Sequence, residues 1–169
     1  MTGFESPRAS AEHAAKQLAN LLIQKNWQMT TAESCTGGMI AAACTDLSGS
    51  SAWFERGFVT YSNAAKMESL GVAASVLAEH GAVSEPVARA MAQGALAHSR
   101  AQVAVAVTGV AGPTGGSSAK PVGTVWFGFA TPGRVVSETR RFDGDRAAVR
   151  QATVQHALQR LVELVSAQE

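Results

Sequence analysis

Charge is scarce in this sequence and nearly balanced. Charged residues make up 16% of its 169 positions, and the formal net charge is +1. Such a surface has no long-range field for a polyanion, so tight binding to nucleic acid or to an anionic membrane is not expected. Cysteine is almost missing as well: only Cys35 and Cys44 occur. If residues 36–46 form one helix, the two thiols are too far apart along it for an undistorted disulfide. A reduced, cytoplasmic setting is the simpler expectation. No segment has the apolar length that spans a bilayer. The polar start, Met1-Thr2-Gly3-Phe4-Glu5-Ser6-Pro7, lacks the apolar core of a secretion signal. Familiar catalytic spacings are absent too: there is no His-Glu-x-x-His, no Cys-x-x-Cys and no Gly-x-Ser-x-Gly. No metal and no cofactor are expected.

What is present suits one compact domain over residues 1–169, because 46% of the residues are hydrophobic. Residues 9–25 carry Ala11, Ala14, Ala15, Leu18, Leu21 and Leu22 at helical spacing, with Ser10 as a candidate cap. Residues 27–32 and 54–60 read as strands. Helices are expected over residues 63–70, stopped by Gly71, over a turn at 75–80, and after Ser84-Glu85-Pro86. Val103-Ala104-Val105-Ala106-Val107 is a continuous apolar run, the pattern of a strand covered on both faces. Residues 122–130 and 135–142 flank Thr131-Pro132-Gly133 and read as an antiparallel hairpin. Asp145 can cap a last amphipathic helix. Helices and strands alternate and end in a hairpin. That predicts an α/β fold, a three-layer α/β/α sandwich with a mixed, mostly parallel sheet. Ser34, Tyr61 and Thr108 fall at strand ends, where ligands usually bind in such folds.

Two stretches carry chemistry. In Thr31-Ala32-Glu33-Ser34-Cys35-Thr36-Gly37-Gly38, a hydroxyl and a thiol sit where a strand turns into a helix. Unpaired amides and two glycines there suit an oxyanion or phosphate. Ser34 or Thr36 fits an ordinary helix cap equally well. Cys35 is a second candidate nucleophile, or simply a small buried residue. His13, His80, His98 and His156 lie in expected helices or their ends, with no acid obviously paired to them. In Gly57-Phe58-Val59-Thr60-Tyr61-Ser62-Asn63-Ala64-Ala65-Lys66, the lysine falls in the first turn of a helix. The helix dipole and partial burial both lower its pKa there, and a neutral amine can deprotonate a serine. The plain alternative is a solvated surface lysine. Tyr61 is either a packing residue or a hydroxyl relay.

The glycine-rich loop over residues 108–121 follows a buried strand. Its glycines and Lys120 could hold a phosphate, although it is neither a P-loop nor a dinucleotide fingerprint. Ser117-Ser118-Ala119-Lys120 matches Ser-x-x-Lys in letters only, because the glycines before it and Pro121 after it argue against the helix that motif needs. Arg146 and Arg150 could also reach a phosphate, or form a solvated helix face.

Six ordered blocks together resemble the CinA C-terminal domain family. They are Ala32-Glu33-Ser34-Cys35-Thr36-Gly37-Gly38, Gly49-Ser50-Ser51-Ala52-Trp53-Phe54, Thr60-Tyr61-Ser62-Asn63, Gly81-Ala82-Val83-Ser84, Thr108-Gly109-Val110-Ala111-Gly112-Pro113 and Lys120-Pro121-Val122-Gly123-Thr124-Val125. The resemblance implies a three-layer α/β/α fold, a homo-oligomer, and hydrolysis of the carboxamide of nicotinamide mononucleotide in pyridine nucleotide recycling. It implies catalytic roles for Ser34, Lys66 and an assisting Tyr61. Thr36, Gly37, Gly38, Asn63, Thr108, Gly109, Gly112 and Lys120 are the expected substrate-binding positions. The large N-terminal domain of some relatives has no counterpart here, so its pyrophosphatase activity is not expected. The rival expectation is a non-catalytic module that binds a pyridine nucleotide for regulation.

Overall fold

The computed structural model describes residues 6–168. Most of the polar N-terminal stretch read above, residues 1–5, lies outside them, as does residue 169. The helices are α1 (Pro7–Lys25), α2 (Met39–Thr45), α3 (Asn63–Leu70), α4 (Ala74–His80), α5 (Glu85–Ala97) and α6 (Arg146–Ser166). The strands are β1 (Met29–Glu33), β2 (Phe54–Val59), β3 (Val103–Gly109), β4 (Thr124–Thr131) and β5 (Arg134–Arg141). They form one sheet in the order β2-β1-β3-β4-β5. β1 pairs in parallel with β2 and β3, and β4 pairs antiparallel with β3 and β5. The sheet is therefore mixed, and four of its five strands run the same way.

Alternation along β3 explains the three layers. Val103, Val105 and Val107 join the core under α1 and α6, with Leu18, Leu22, Leu158 and Leu161. Ala104 and Ala106 point to the other core, with Val87, Met91 and Leu70 of α5 and α3. Every one of these strand residues is fully buried, which is why the run is apolar without a break. Each fully buried leucine contributes about 1.5–3 kcal/mol. On the second face the small residues let helices approach closely. A Cβ at Gly128 would collide with the Ala88 carbonyl, and one at Gly94 with the Leu70 carbonyl. The Gly94 contact seats α3 against α5, and α3 carries Lys66.

Some boundaries differ from the sequence reading for local reasons. α1 starts at Pro7, one residue after Ser6, whose hydroxyl accepts from the Ala9 amide. Ser10 therefore lies inside the helix. α2 begins only at Met39, because Gly37 (φ 59°) and Gly38 (φ 104°) leave helical geometry. Ser34 sits on the strand-to-helix turn, as the sequence reading expects. Ser84 precedes α5 but donates its hydroxyl to Gly81 O instead of capping. α3 has the expected bounds, with Ser62 capping through the Ala65 amide and Gly71 ending it at φ 69°. Both cysteines are free and buried. Among the described residues no helix is long and apolar enough to cross a membrane.

Candidate active site

The site forms at the carboxyl ends of β1 and β2. Parallel register opposes Glu33 and Val59, and the Thr60 amide extends it by donating to Glu33 O at 2.8 Å. On the other side the Ser34 amide donates to Val107 O at 3.1 Å. Ser34 is thus held between two neighbouring strands while its side chain stays half-buried. One turn into α3, Lys66 reaches back under the loop. Its Nζ lies 3.1 Å from Ser34 Oγ and donates to Thr60 O at 2.8 Å. Lys66 is 1% exposed, and no carboxylate forms an ion pair with it among the described residues. Burial lowers its pKa below the ordinary lysine value, since the apolar surroundings disfavour the charged amine.

The turn at residues 34–38 is gripped from two sides. The fully buried carboxylate of Glu33 accepts from the Thr36 hydroxyl at 2.6 Å, the Ile40 amide at 2.8 Å and the Ala41 amide at 3.0 Å. It thereby satisfies the first turn of α2 with a charge from the same chain. From α6, Arg150 donates Nε to Cys35 O at 3.1 Å and Nη2 to Thr36 O at 3.2 Å. The Gly37 amide closes the turn onto Ser34 O at 3.0 Å. The amides of Cys35, Thr36 and Gly38 donate to no other described residue. They are the donors left for an anion beside Ser34 Oγ.

Cys35 is buried, and burial pushes its thiol up to about 11. It is held as the neutral thiol and is a poor nucleophile. Two histidines differ from the sequence reading: His80 lies 3.7 Å from Glu79 at the end of α4, and the closer pair is at His156 on α6. His156 does have an acid partner, Glu138, at 2.7 Å, and it packs edge-on against Phe127. The pair joins β5 to α6 and bonds to neither Ser34 nor Cys35.

Tyr61 is 60% exposed, and its hydroxyl accepts from Arg146 Nη2 at 2.8 Å. Lys66 and Ser34 meet without it. Arg146 also donates to Gly112 O at 3.0 Å, linking the Tyr61 loop, the glycine loop and the start of α6. Beside them lies a groove of about 650 Å³ lined by Ala111, Pro113, Val122, Asp145, Arg146 and Arg150, among others. Asn63 is exposed at the start of α3. Thr36 is buried, with its hydroxyl spent on Glu33. Thr108 is also buried and donates to Ala82 O at 2.9 Å. Gly109 is required by packing, because a Cβ would lie 2.8 Å from Thr124 O. Lys120, the expected phosphate cation, instead donates to His80 O at 2.9 Å, at the C-terminus of α4. A cation is favoured there, and it ties the loop down.

Sequence reasoning passed over Glu33 and the carbonyl of Thr60, and left Arg150 undecided. The only signal for Glu33 was a carboxylate in an apolar strand, three residues before a threonine.

The family model for the CinA C-terminal domain matches residues 11–165. Nicotinamide-nucleotide amidohydrolase PncC of Enterobacter agglomerans is 58% identical over 144 residues, 85% of this chain and 88% of that protein. The protein of the same name from Escherichia coli K12 is 55% identical over 148 residues, 87% and 90% of the two chains. Among solved structures, competence/damage inducible protein CihA from Agrobacterium tumefaciens superposes with a TM-score of 0.89. It is 46% identical, over 97% of this chain and 99% of that one. With six sequence blocks, the sheet order and the Ser34 turn all in place, the chain belongs to the CinA C-terminal domain family.

Proposed function

We propose that the chain hydrolyses the carboxamide of nicotinamide mononucleotide to nicotinic acid mononucleotide and ammonia, through an acyl-enzyme on Ser34. The observation that carries this reading is the 3.1 Å contact between a buried, uncharged-leaning amine and a half-buried hydroxyl. The names of the relatives at 55–58% identity support the substrate.

Lys66 takes the Ser34 proton directly, while its N–H on Thr60 O keeps the lone pair aimed at Oγ. Oγ bonds to the amide carbon. The charge that develops on oxygen is met by the free amides of the turn. The proton on Lys66 passes to the leaving nitrogen, the C–N bond breaks and ammonia departs. Water, deprotonated by Lys66, then cleaves the acyl ester and returns the proton to Ser34. Ala111, Pro113 and Val122 form apolar walls for the rest of the nucleotide, and Arg146 at the groove is the cation offered to its phosphate. Tyr61 assists by holding Arg146 at the rim. The exposed Val59, Tyr61 and Met67 near this rim suit self-association, in keeping with the homo-oligomer that the resemblance implies.

An idle regulatory module is disfavoured on physical grounds. A buried amine without a counter-charge weakens the fold, and a chain under no catalytic demand gains by losing it. The test is ammonia release from nicotinamide mononucleotide by wild type, Ser34→Ala and Lys66→Ala. Each variant is expected to lose at least about 10³-fold in kcat. A near wild-type rate in either one sinks the mechanism, and binding without turnover by wild type favours the module.

A further inference from the structure

We infer that Arg150 is a positioning residue that aims the oxyanion donor of the Ser34 turn; this rests on the acyl-enzyme reading above. One guanidinium on α6 takes two successive carbonyls, Cys35 O at 3.1 Å and Thr36 O at 3.2 Å. In a trans peptide the C=O and the following N–H point in opposite directions. Fixing the Cys35 carbonyl toward α6 therefore turns the Thr36 N–H away from α6. Fixing the Thr36 carbonyl does the same to the Gly37 N–H, which closes onto Ser34 O. α6 packs in the core on one face of the sheet, and α3 packs against α5 on the other. Away from α6 is thus the side where Ser34 Oγ meets Lys66 Nζ.

Glu33 completes the arrangement. It occupies the Thr36 hydroxyl and the Ile40 and Ala41 amides, the donors that would otherwise compete for the anion. The Thr36 N–H donates to no other described residue and is left as the aimed donor. Gly37 holds the turn at φ 59°, a backbone that side chains rarely adopt, with Arg150 Nη2 within contact distance of its Cβ position.

Arg150 also lines the groove, so a role as phosphate ligand is the competing assignment, and the two roles separate cleanly. Steady-state ammonia release is compared for wild type, Arg150→Ala and Arg150→Lys, on nicotinamide mononucleotide and on the phosphate-free riboside. In parallel, a small alkyl fluorophosphonate, which phosphonylates an activated serine with loss of fluoride, reports on Ser34 by mass spectrometry. For Arg150→Ala, kcat is expected to fall about 10²- to 10³-fold, as for loss of an oxyanion donor. The same factor should hold for both substrates, with KM nearly unchanged and slower phosphonylation. Added guanidinium should restore part of the rate. Arg150→Lys, whose single ammonium cannot span both carbonyls, should lie between, and it carries the comparison if the alanine variant does not fold. A loss confined to KM for the nucleotide, with riboside turnover and phosphonylation unchanged, overturns the inference in favour of phosphate binding. Unchanged rates throughout overturn it outright. If wild type labels but releases no ammonia, the substrate reading falls, and the labelling rates alone still judge Arg150.

Discussion

Glu33 and Ser34 are consecutive residues whose side chains leave the sheet on opposite faces. The Glu33 carboxylate is bonded to the amides of α2, and the Ser34 hydroxyl lies 3.1 Å from the lysine of α3. A single strand end therefore anchors the turn on one side and offers the nucleophile on the other. Replacing Glu33 with alanine leaves three donors at the buried end of α2 without their acceptor. Glu33→Ala is expected to lose about 3–5 kcal/mol of stability, and Glu33→Gln less, because an amide oxygen still accepts. Urea unfolding measures both, and a loss below about 1 kcal/mol for the alanine variant contradicts the anchor role.

Lys66 sets the pH behaviour. Burial holds its pKa below the ordinary 10.5. The neutral amine is the base, so kcat/KM is expected to rise with pH on a limb below the normal lysine range and to vanish in Lys66→Arg. For stability, the unfolded chain holds a proton at pH values where native Lys66 has lost it. Between the native pKa and 10.5 the group therefore favours unfolding, progressively less as pH rises. The unfolding free energy of wild type minus that of Lys66→Met should increase with pH across that window and level off above it. A flat difference would mean that the amine is not titrated down by burial.

Cys35 is next to the nucleophile but chemically quiet, a buried thiol pushed up to about 11. Cys35→Ala is expected to keep kcat within about threefold and to lose on the order of 1 kcal/mol of stability. Iodoacetamide should leave native protein active. Loss of turnover in Cys35→Ala together with an active Ser34→Ala moves the nucleophile to sulfur.

Two cations at the loop differ in what they hold. Lys120 is bound to His80 O, whereas Arg146 reaches Tyr61 and Gly112 beside the groove. Arg146→Ala is expected to raise KM for the nucleotide at least tenfold, by loss of a charge-assisted contact worth about 1.5–3 kcal/mol. Lys120→Ala should change it less than threefold. The reverse order would return the phosphate to Lys120, one of the cations that sequence reasoning offered for it.

Much of the fold was legible because local rules decide it. The apolar run in β3 announces a strand with two covered faces, and Ser62 and Gly71 bracket α3 by capping chemistry. The sequence left open whether α2 starts at Thr36 or after Gly38, and the positive φ angles of Gly37 and Gly38 choose the later start. Ser34 and Lys66 were legible as types of residue in suitable places. That they touch was not, because they are 32 residues apart.

By itself the amino-acid order determined the periodicities, the caps, the balance of charge and the candidate nucleophile and amine, all of which depend on near neighbours in the chain. The tertiary structure alone decided which of several cations reaches which carbonyl, which carboxylate is buried, and which hydroxyls are already engaged. Those outcomes follow from distances of about 3 Å between residues remote in sequence. Hydrogen bonding and desolvation act only at such range, so no local pattern encodes them.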